Sequence, residues 1–267
     1  MPNQNGFHIA EPARTAQTVK VLAVGNSFSQ DATTYLRSMA LADGVDFRVA
    51  NLFIGGCSLE RHYNNTLSGA KDYLLTYYTP DMIYDLHPVD LTFALEAADW
   101  DFITVQQVSG NSGKYETFEP FAAGLIRFIR QHCPQAEILL HQTWAYQSDY
   151  PGIISNGYGT QEKMYLNIRE AYEQFSADYG NARIIPSGEA WHKARATAIG
   201  DNLNRDGFHG NIKGRLLAGW VWYETFTGIS PLESRYDAKT ADPALTDQEI
   251  GLLKQAAHDA FLEYRAG

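Results

Sequence analysis

The sequence predicts an α/β fold with a mostly parallel, five-stranded sheet covered by helices on both faces. Two observations point there. Short continuous apolar runs, the pattern of strands buried on both faces, alternate along the chain with apolar residues at helical spacing. Four segments carrying reactive or polar side chains, at 25–29, 55–58, 106–111 and 206–209, fall just past predicted strands or just before a predicted helix. Open α/β sheets collect their ligands at the carboxyl ends of their strands.

Val19 to Val24 is the first apolar run and predicts a buried strand. Ala32, Tyr35, Leu36, Met39 and Ala40 then follow helical spacing, and Asp46 to Ile54 reads as a second strand ending in Gly55-Gly56. Leu59, Tyr63, Leu67, Ala70, Leu74 and Tyr77 predict a second helix, and Phe102 to Gln107 a third strand. Phe118, Phe121, Ala122, Leu125, Ile126 and Ile129 form a strong helical stripe closed by Cys133-Pro134. Ala136 to Gln142 is the fourth strand. A helix through Met164, Ile168, Ala171, Tyr172, Phe175 and Tyr179 leads to a short fifth strand, Arg183 to Pro186. Ile212, Leu216, Leu217, Trp220, Val221 and Phe226 mark a helix stopped by Gly228. Residues 228–245 read as a surface crossing. Thr246 and Glu249 then form a capping box for a last helix through Ile250, Leu253, Ala257, Phe261 and Tyr264.

At 267 residues the chain fits one α/β domain, 19–267, behind an N-terminal extension, 1–18. A net charge of −10, with no cluster of Lys and Arg, argues against nucleic acid as a partner. Cys57 and Cys133 are too few for a disulfide framework. The stretch Met1 to Gln17 is polar and lacks the apolar core of a secretory signal, which predicts a cytoplasmic protein as the sequence stands. A secreted chain trimmed of its signal would read the same way. No run approaches the roughly 18 apolar residues that a membrane span needs, so no membrane partner is expected.

Ser27 is the candidate nucleophile, because a strand-to-helix turn would face its hydroxyl toward the crevice. Its alternative is structural: Ser27 with Gln30 matches a capping box. His209 is the candidate base, and Asp206, three residues earlier, the carboxylate that would orient its imidazole. The alternative there is an exposed loop whose Asp caps a turn. Gly56 offers a backbone N–H to an oxyanion without a side chain in the way. Two consecutive glutamines at the end of an apolar strand need buried partners, and Gln107 is preferred as a further oxyanion donor, with Gln106 and Asn111 as alternatives. Trp144, Tyr146 and Trp191 follow the fourth and fifth strands as substrate-binding pocket walls, unless they pack in the core. Cys57 reads as a structural thiol. The histidines and cysteines lack metal-ligand spacing, and the loop after the first strand matches no nucleotide motif, so neither metal nor cofactor is expected.

Taken together these residues resemble the SGNH, or GDSL-type, hydrolases. Gly25-Asn26-Ser27-Phe28-Ser29 is similar to their first block, with Asn26 where Asp is usual. Gly55-Gly56 is similar to the second block, and Asp206-Gly207-Phe208-His209 matches the Asp-x-x-His of the fifth. The third block, usually Gly-x-Asn-Asp, is absent; Gln106-Gln107-Val108-Ser109 resembles an uncharacterised bacterial branch of the superfamily. The stretches Gln142 to Tyr146 and Ile185 to Ala190 resemble that branch too, and the likeness spans roughly 19–228. The resemblance implies a three-layer α/β/α sandwich of flavodoxin-like topology, a Ser-His-Asp relay and no metal. It also implies ester hydrolysis, with a small acyl group such as acetyl on a carbohydrate or similar polar alcohol as the expected substrate. An acyltransferase, lipase or thioesterase on the same fold, or a glycan-binding module, are the other readings.

Overall fold

The computed structural model describes residues 18–265. The N-terminal extension therefore lies, apart from Thr18, outside the described residues.

Five parallel strands form the body of the sheet: β1 (Val19–Gly25), β2 (Phe47–Phe53), β5 (Phe102–Val105), β6 (Glu137–His141) and β7 (Ile184–Ile185). These correspond to the five predicted strands. The sheet nevertheless has seven, in the order β4-β3-β2-β1-β5-β6-β7, because an antiparallel hairpin, β3 (Tyr73–Tyr78) and β4 (Ile83–Val89), extends it beyond β2. The helices are α1 (Ser27–Thr33), α2 (Leu36–Asp43), α3 (Leu59–Ser68), α4 (Leu91–Glu96), α5 (Phe121–His132), α6 (Gly152–Ser155), α7 (Gln161–Asp178), α8 (Ser187–Arg195), α9 (Ile212–Thr227) and α10 (Asp247–Arg265). They cover both faces of the sheet. One group packs α3, α4 and α5 together; the other packs α1, α2, α8 and α10 around α9.

β1 is central, flanked by β2 and β5, so Val21 to Val24 are buried on both faces, as a continuous apolar run requires. The chain leaves β1 toward β2 on one side and reaches β5 on the other, which puts the topological switch at the carboxyl end of β1. From Leu216 to Phe226 α9 is buried on every side, as befits the middle of a helical layer. Asn211, two residues after His209, caps it by accepting from Gly214 N–H at 3.1 Å, so the loop runs directly into a fixed helix start.

Two predicted helices change form. The helix expected through Ala32 and Ala40 is two, broken between Thr33 and Leu36. The one expected to run from Leu59 to Tyr77 stops at Gly69, whose φ of +64° is the left-handed conformation that ends helices, and the remainder is strand β3. The capping box is present as read. Thr246 N–H donates to Glu249 Oε2 at 2.9 Å, and Glu249 N–H to Thr246 Oγ1 at 3.2 Å.

Candidate active site

The helix cap at the end of β1 belongs to Asn26. Its Oδ1 accepts from Phe28 N–H at 3.0 Å and from Gln106 Nε2 at 2.7 Å, while its Nδ2 donates to Cys57 O at 3.0 Å. One buried amide thus ties together the loops leaving β1, β2 and β5. Ser27 becomes the first helical residue, and its hydroxyl is released from capping. Gly25 lets this turn close: a Cβ there would sit 2.4 Å from Ser29 Oγ, which itself donates to Asn26 O and Asn51 Oδ1.

The freed hydroxyl meets His209. Ser27 Oγ lies 2.8 Å from His209 Nε2, and His209 Nδ1 lies 2.7 Å from Asp206 Oδ2. Asp206 Oδ1 also accepts the backbone N–H groups of Phe208 (3.2 Å) and His209 (2.8 Å), winding the Asp-x-x-His loop around its carboxylate. Burial alone would raise the Asp206 carboxyl, but the His209 imidazole and those two backbone donors outweigh it and hold it below the usual carboxylate range. The loop is braced from beneath. Trp144 Nε1 donates to Phe208 O at 2.8 Å, and its indole is stacked between Phe28 and Trp191, with ring centroids 4.4 Å away on each side.

Trp144 and Trp191 are therefore core residues with no surface to offer a ligand, a correction to the expectation that they wall a pocket. Trp144 lies in the loop after β6 and Trp191 inside α8, and both turn inward under the site loops. Tyr146 is nearly buried, its hydroxyl 2.8 Å from Ser109 Oγ. The aromatic rings that do flank His209 at the surface are half-buried: Phe208, 4.0 Å away by ring centroid, with Tyr150 packed on it at 5.3 Å.

The two glutamines divide as strand alternation requires. Gln106 supports Asn26 and accepts from His141 Nδ1 at 2.7 Å; burial pushes that imidazole down to about 3, so it is neutral and Nδ1 carries its proton. Gln107 faces the other way. Its Oε1 accepts from Leu59 N–H (3.0 Å) and Val108 N–H (2.8 Å), and its Nε2 donates to Thr117 O and Oγ1 (3.0 and 3.2 Å). With both ends of the amide engaged, by the start of α3 and by the β5 exit loop, Gln107 has nothing left to aim at Ser27, contrary to the preference read from sequence. Asn111 ends a short 3-10 turn in the same loop, half-buried, and its side-chain amide has no protein partner among the described residues. Gly56 is exposed with φ +60°, next to the Cys57 carbonyl that Asn26 holds. Among the described residues no protein acceptor takes the backbone N–H of Ser27 or Gly56. Burial pushes the Cys57 thiol up to about 12, which leaves it unreactive at neutral pH.

One residue at the site escaped the sequence reading. Asp31, buried on α1, accepts from Arg205, Gly210 and Arg215. The available signal was an acid one helical turn after Ser27, at the spacing that puts it on the same side of α1. A cavity of about 860 Å³ between α7, α9 and α10, lined by Arg183, Glu224 and Tyr264, includes none of the residues around Ser27. Among the described residues, no helix is long and apolar enough to cross a membrane.

A family model, described as a domain of unknown function (DUF4886), matches residues 20–260. A DUF4886 family protein from Bacteroides uniformis is 36% identical, with 92% of this chain and 95% of that one covered and a TM-score of 0.87. A candidate SGNH hydrolase from Slackia heliotrinireducens is 23% identical over 78% of this chain and 99% of that one, with a TM-score of 0.55. An acetylxylan esterase from Geobacillus stearothermophilus is 13% identical over 78% and 94%, with a TM-score of 0.51. The last two likenesses carry the fold, which is that of the SGNH hydrolases. Among curated proteins, none matches the chain.

Proposed function

The chain belongs to the DUF4886 family, and within it we propose a serine ester hydrolase that removes a small acyl group, acetyl foremost, from a carbohydrate or similar polar alcohol. The observation that carries this reading is the continuous hydrogen-bonded line from Ser27 Oγ through His209 to Asp206, at 2.8 and 2.7 Å. A serine hydroxyl becomes a useful nucleophile only with a base to accept its proton, and both contacts lie within the range for proton transfer.

In this mechanism Ser27 Oγ bonds to the acyl carbon while its proton passes to His209 Nε2. Asp206, ionised at neutral pH, holds the Nδ1–H tautomer and stabilises the imidazolium. The oxyanion is held by the unengaged N–H groups of Ser27 and Gly56. Asn111, whose amide is free where that of Gln107 is not, is the third donor we assign. As the tetrahedral intermediate collapses, the bond to the alcohol breaks and His209 returns the proton to the departing oxygen. Water, deprotonated by the same imidazole, then releases the carboxylic acid from Ser27. Phe208 and Tyr150 offer the aromatic surface beside His209 on which a sugar ring could pack. The acetylxylan esterase among the fold neighbours supports an acetylated sugar as the first substrate to try.

The test is a panel of p-nitrophenyl esters and acetylated oligosaccharides, run with wild type and Ser27→Ala, together with labelling by a fluorophosphonate probe. Wild type should hydrolyse at least one acetyl ester and take the label at Ser27. Loss of the nucleophile should lower kcat by up to about a millionfold. Undiminished turnover in Ser27→Ala, or a wild type that neither reacts nor labels, would overturn the assignment and favour a glycan-binding module.

A further inference from the structure

Asp31 lies on α1 one turn beyond Ser27, with its side chain buried. A carboxylate is unfavourable to bury unless donors satisfy its oxygens. Here Arg205 Nη1 approaches Oδ1 and Oδ2 at 3.0 and 3.1 Å, Arg215 Nε approaches Oδ1 at 2.8 Å, and Gly210 N–H donates to Oδ2 at 2.8 Å. All three donors come from one stretch. Arg205 precedes Asp206, Gly210 follows His209, and Arg215 is on the first turn of α9. Arg205 also closes the stretch on itself, its N–H donating to His209 O at 3.0 Å and its guanidinium to Gly210 O. Among the described residues, Asp31 is the one carboxylate within ion-pair reach of either arginine.

The bond from Gly210 to Asp31 spans 179 positions, and the contact between His209 and Ser27 spans 182. The same two segments are thus tied twice, once through the reacting groups and once one helical turn behind them. We propose that Asp31 is a positioning residue for the chemistry assigned to Ser27: it clamps the loop carrying Asp206 and His209 onto the helix carrying the nucleophile and so sets the distance between hydroxyl and imidazole. The inference rests on the hydrolase reading. Because Asp31 itself faces the clamp, its influence belongs in kcat and not in KM; an acid that merely stabilised the fold would leave kcat per folded molecule unchanged.

The experiment compares wild type with Asp31→Asn, which keeps the shape and removes the charge, and with Arg205→Gln and Arg215→Gln, each of which removes one arm. Both arginines are about one-third exposed, at 38% and 31%, so these two variants should fold. For each, kcat and KM on p-nitrophenyl acetate and the rate of fluorophosphonate labelling at Ser27 are measured, with circular dichroism as the check on folding. Asp31→Asn should lose on the order of 100-fold in kcat and in labelling rate, the scale expected for a misplacement of about 1 Å, with KM little changed. The arginine variants should show smaller losses in the same parameter. Wild-type kcat in a folded Asp31→Asn, or a change confined to KM, would overturn the clamp. If Asp31→Asn does not fold, wild-type kcat in both arginine variants would overturn it equally. A wild type that takes no label removes the reading of Ser27 and the clamp with it, whereas a labelled wild type with unaffected variants removes only the clamp.

Discussion

Asn26 holds three strand exits with one short side chain, and it does so as an amide. Its Nδ2 donates to Cys57 O while its Oδ1 accepts from Phe28 and Gln106. An aspartate there, the usual residue of the SGNH first block, would set an acceptor against the Cys57 carbonyl. Asn26→Asp is therefore expected to destabilise the protein by about 1–3 kcal/mol, the range for a buried polar group left without its partner. Thermal unfolding beside wild type measures this, and an equal or higher Tm would show that Cys57 O needs no such donor. Gln107 and Asn111 make a contrasting pair. Gln107→Ala strands the N–H groups of Leu59 and Val108 and should lower stability by about 1–3 kcal/mol for each, with a smaller effect on kcat. Asn111→Ala should do the reverse, lowering kcat by roughly 100- to 1000-fold at nearly unchanged stability. The opposite pattern would return the third oxyanion donor to Gln107. Ser27, Asp206 and His209 were legible because short loops fix where their side chains can go. Which glutamine served which partner was not, because an amide satisfies a loop as readily as a ligand, and only the fold decides.

Elements were legible where one periodicity dominated. The stripe of α5 and the capping box of α10 stand in the structure much as the spacing dictates. Tyr73–Tyr78 was misread because Leu74 and Tyr77 continue the helical spacing of α3, and only the left-handed Gly69 breaks it. β4 gave no signal, since Ile83 to Pro88 are exposed on both faces and lack the alternation a half-buried strand shows. The seam between α9 and α10 has a pH dependence of its own. Glu224 on α9 faces His258 on α10 at 2.8 Å, and its Oε2 has no partner among the described residues. Burial pushes this carboxyl up from 4.5 to about 7, with His258 and Arg265 pulling it back only in part and Glu233 adding to the rise. Between those values the folded protein holds a proton that the unfolded chain releases, so raising the pH through this window favours unfolding. Denaturant unfolding from about pH 5 to 8 should show Glu224→Gln gaining stability relative to wild type as pH rises; the absolute slope of both proteins also carries buried His141, which acts in the opposite direction below about 6.5. Parallel slopes for the two proteins would sink this account.

At the scale of the whole molecule, the parallel body of the sheet follows from alternation of strand and helix, and the switch point beside β1 follows from its strand order. Three loops converge there from the ends of β1, β2 and β5, and α9 delivers the fourth from the far side of the sequence. The antiparallel hairpin at the β2 edge was beyond reach, because strand pairing at an edge is settled by tertiary contact more than by local preference.

The separation of 182 residues between hydroxyl and imidazole has a consequence for the newborn chain. At roughly 5–20 residues per second, a ribosome makes Ser27 some 10–40 seconds before it makes His209. Through that interval the serine has no base and is an ordinary alcohol. On the proposed reading, reactivity switches on only when the segment carrying Asp206 and His209 has emerged and folded back onto the helix that carries Ser27.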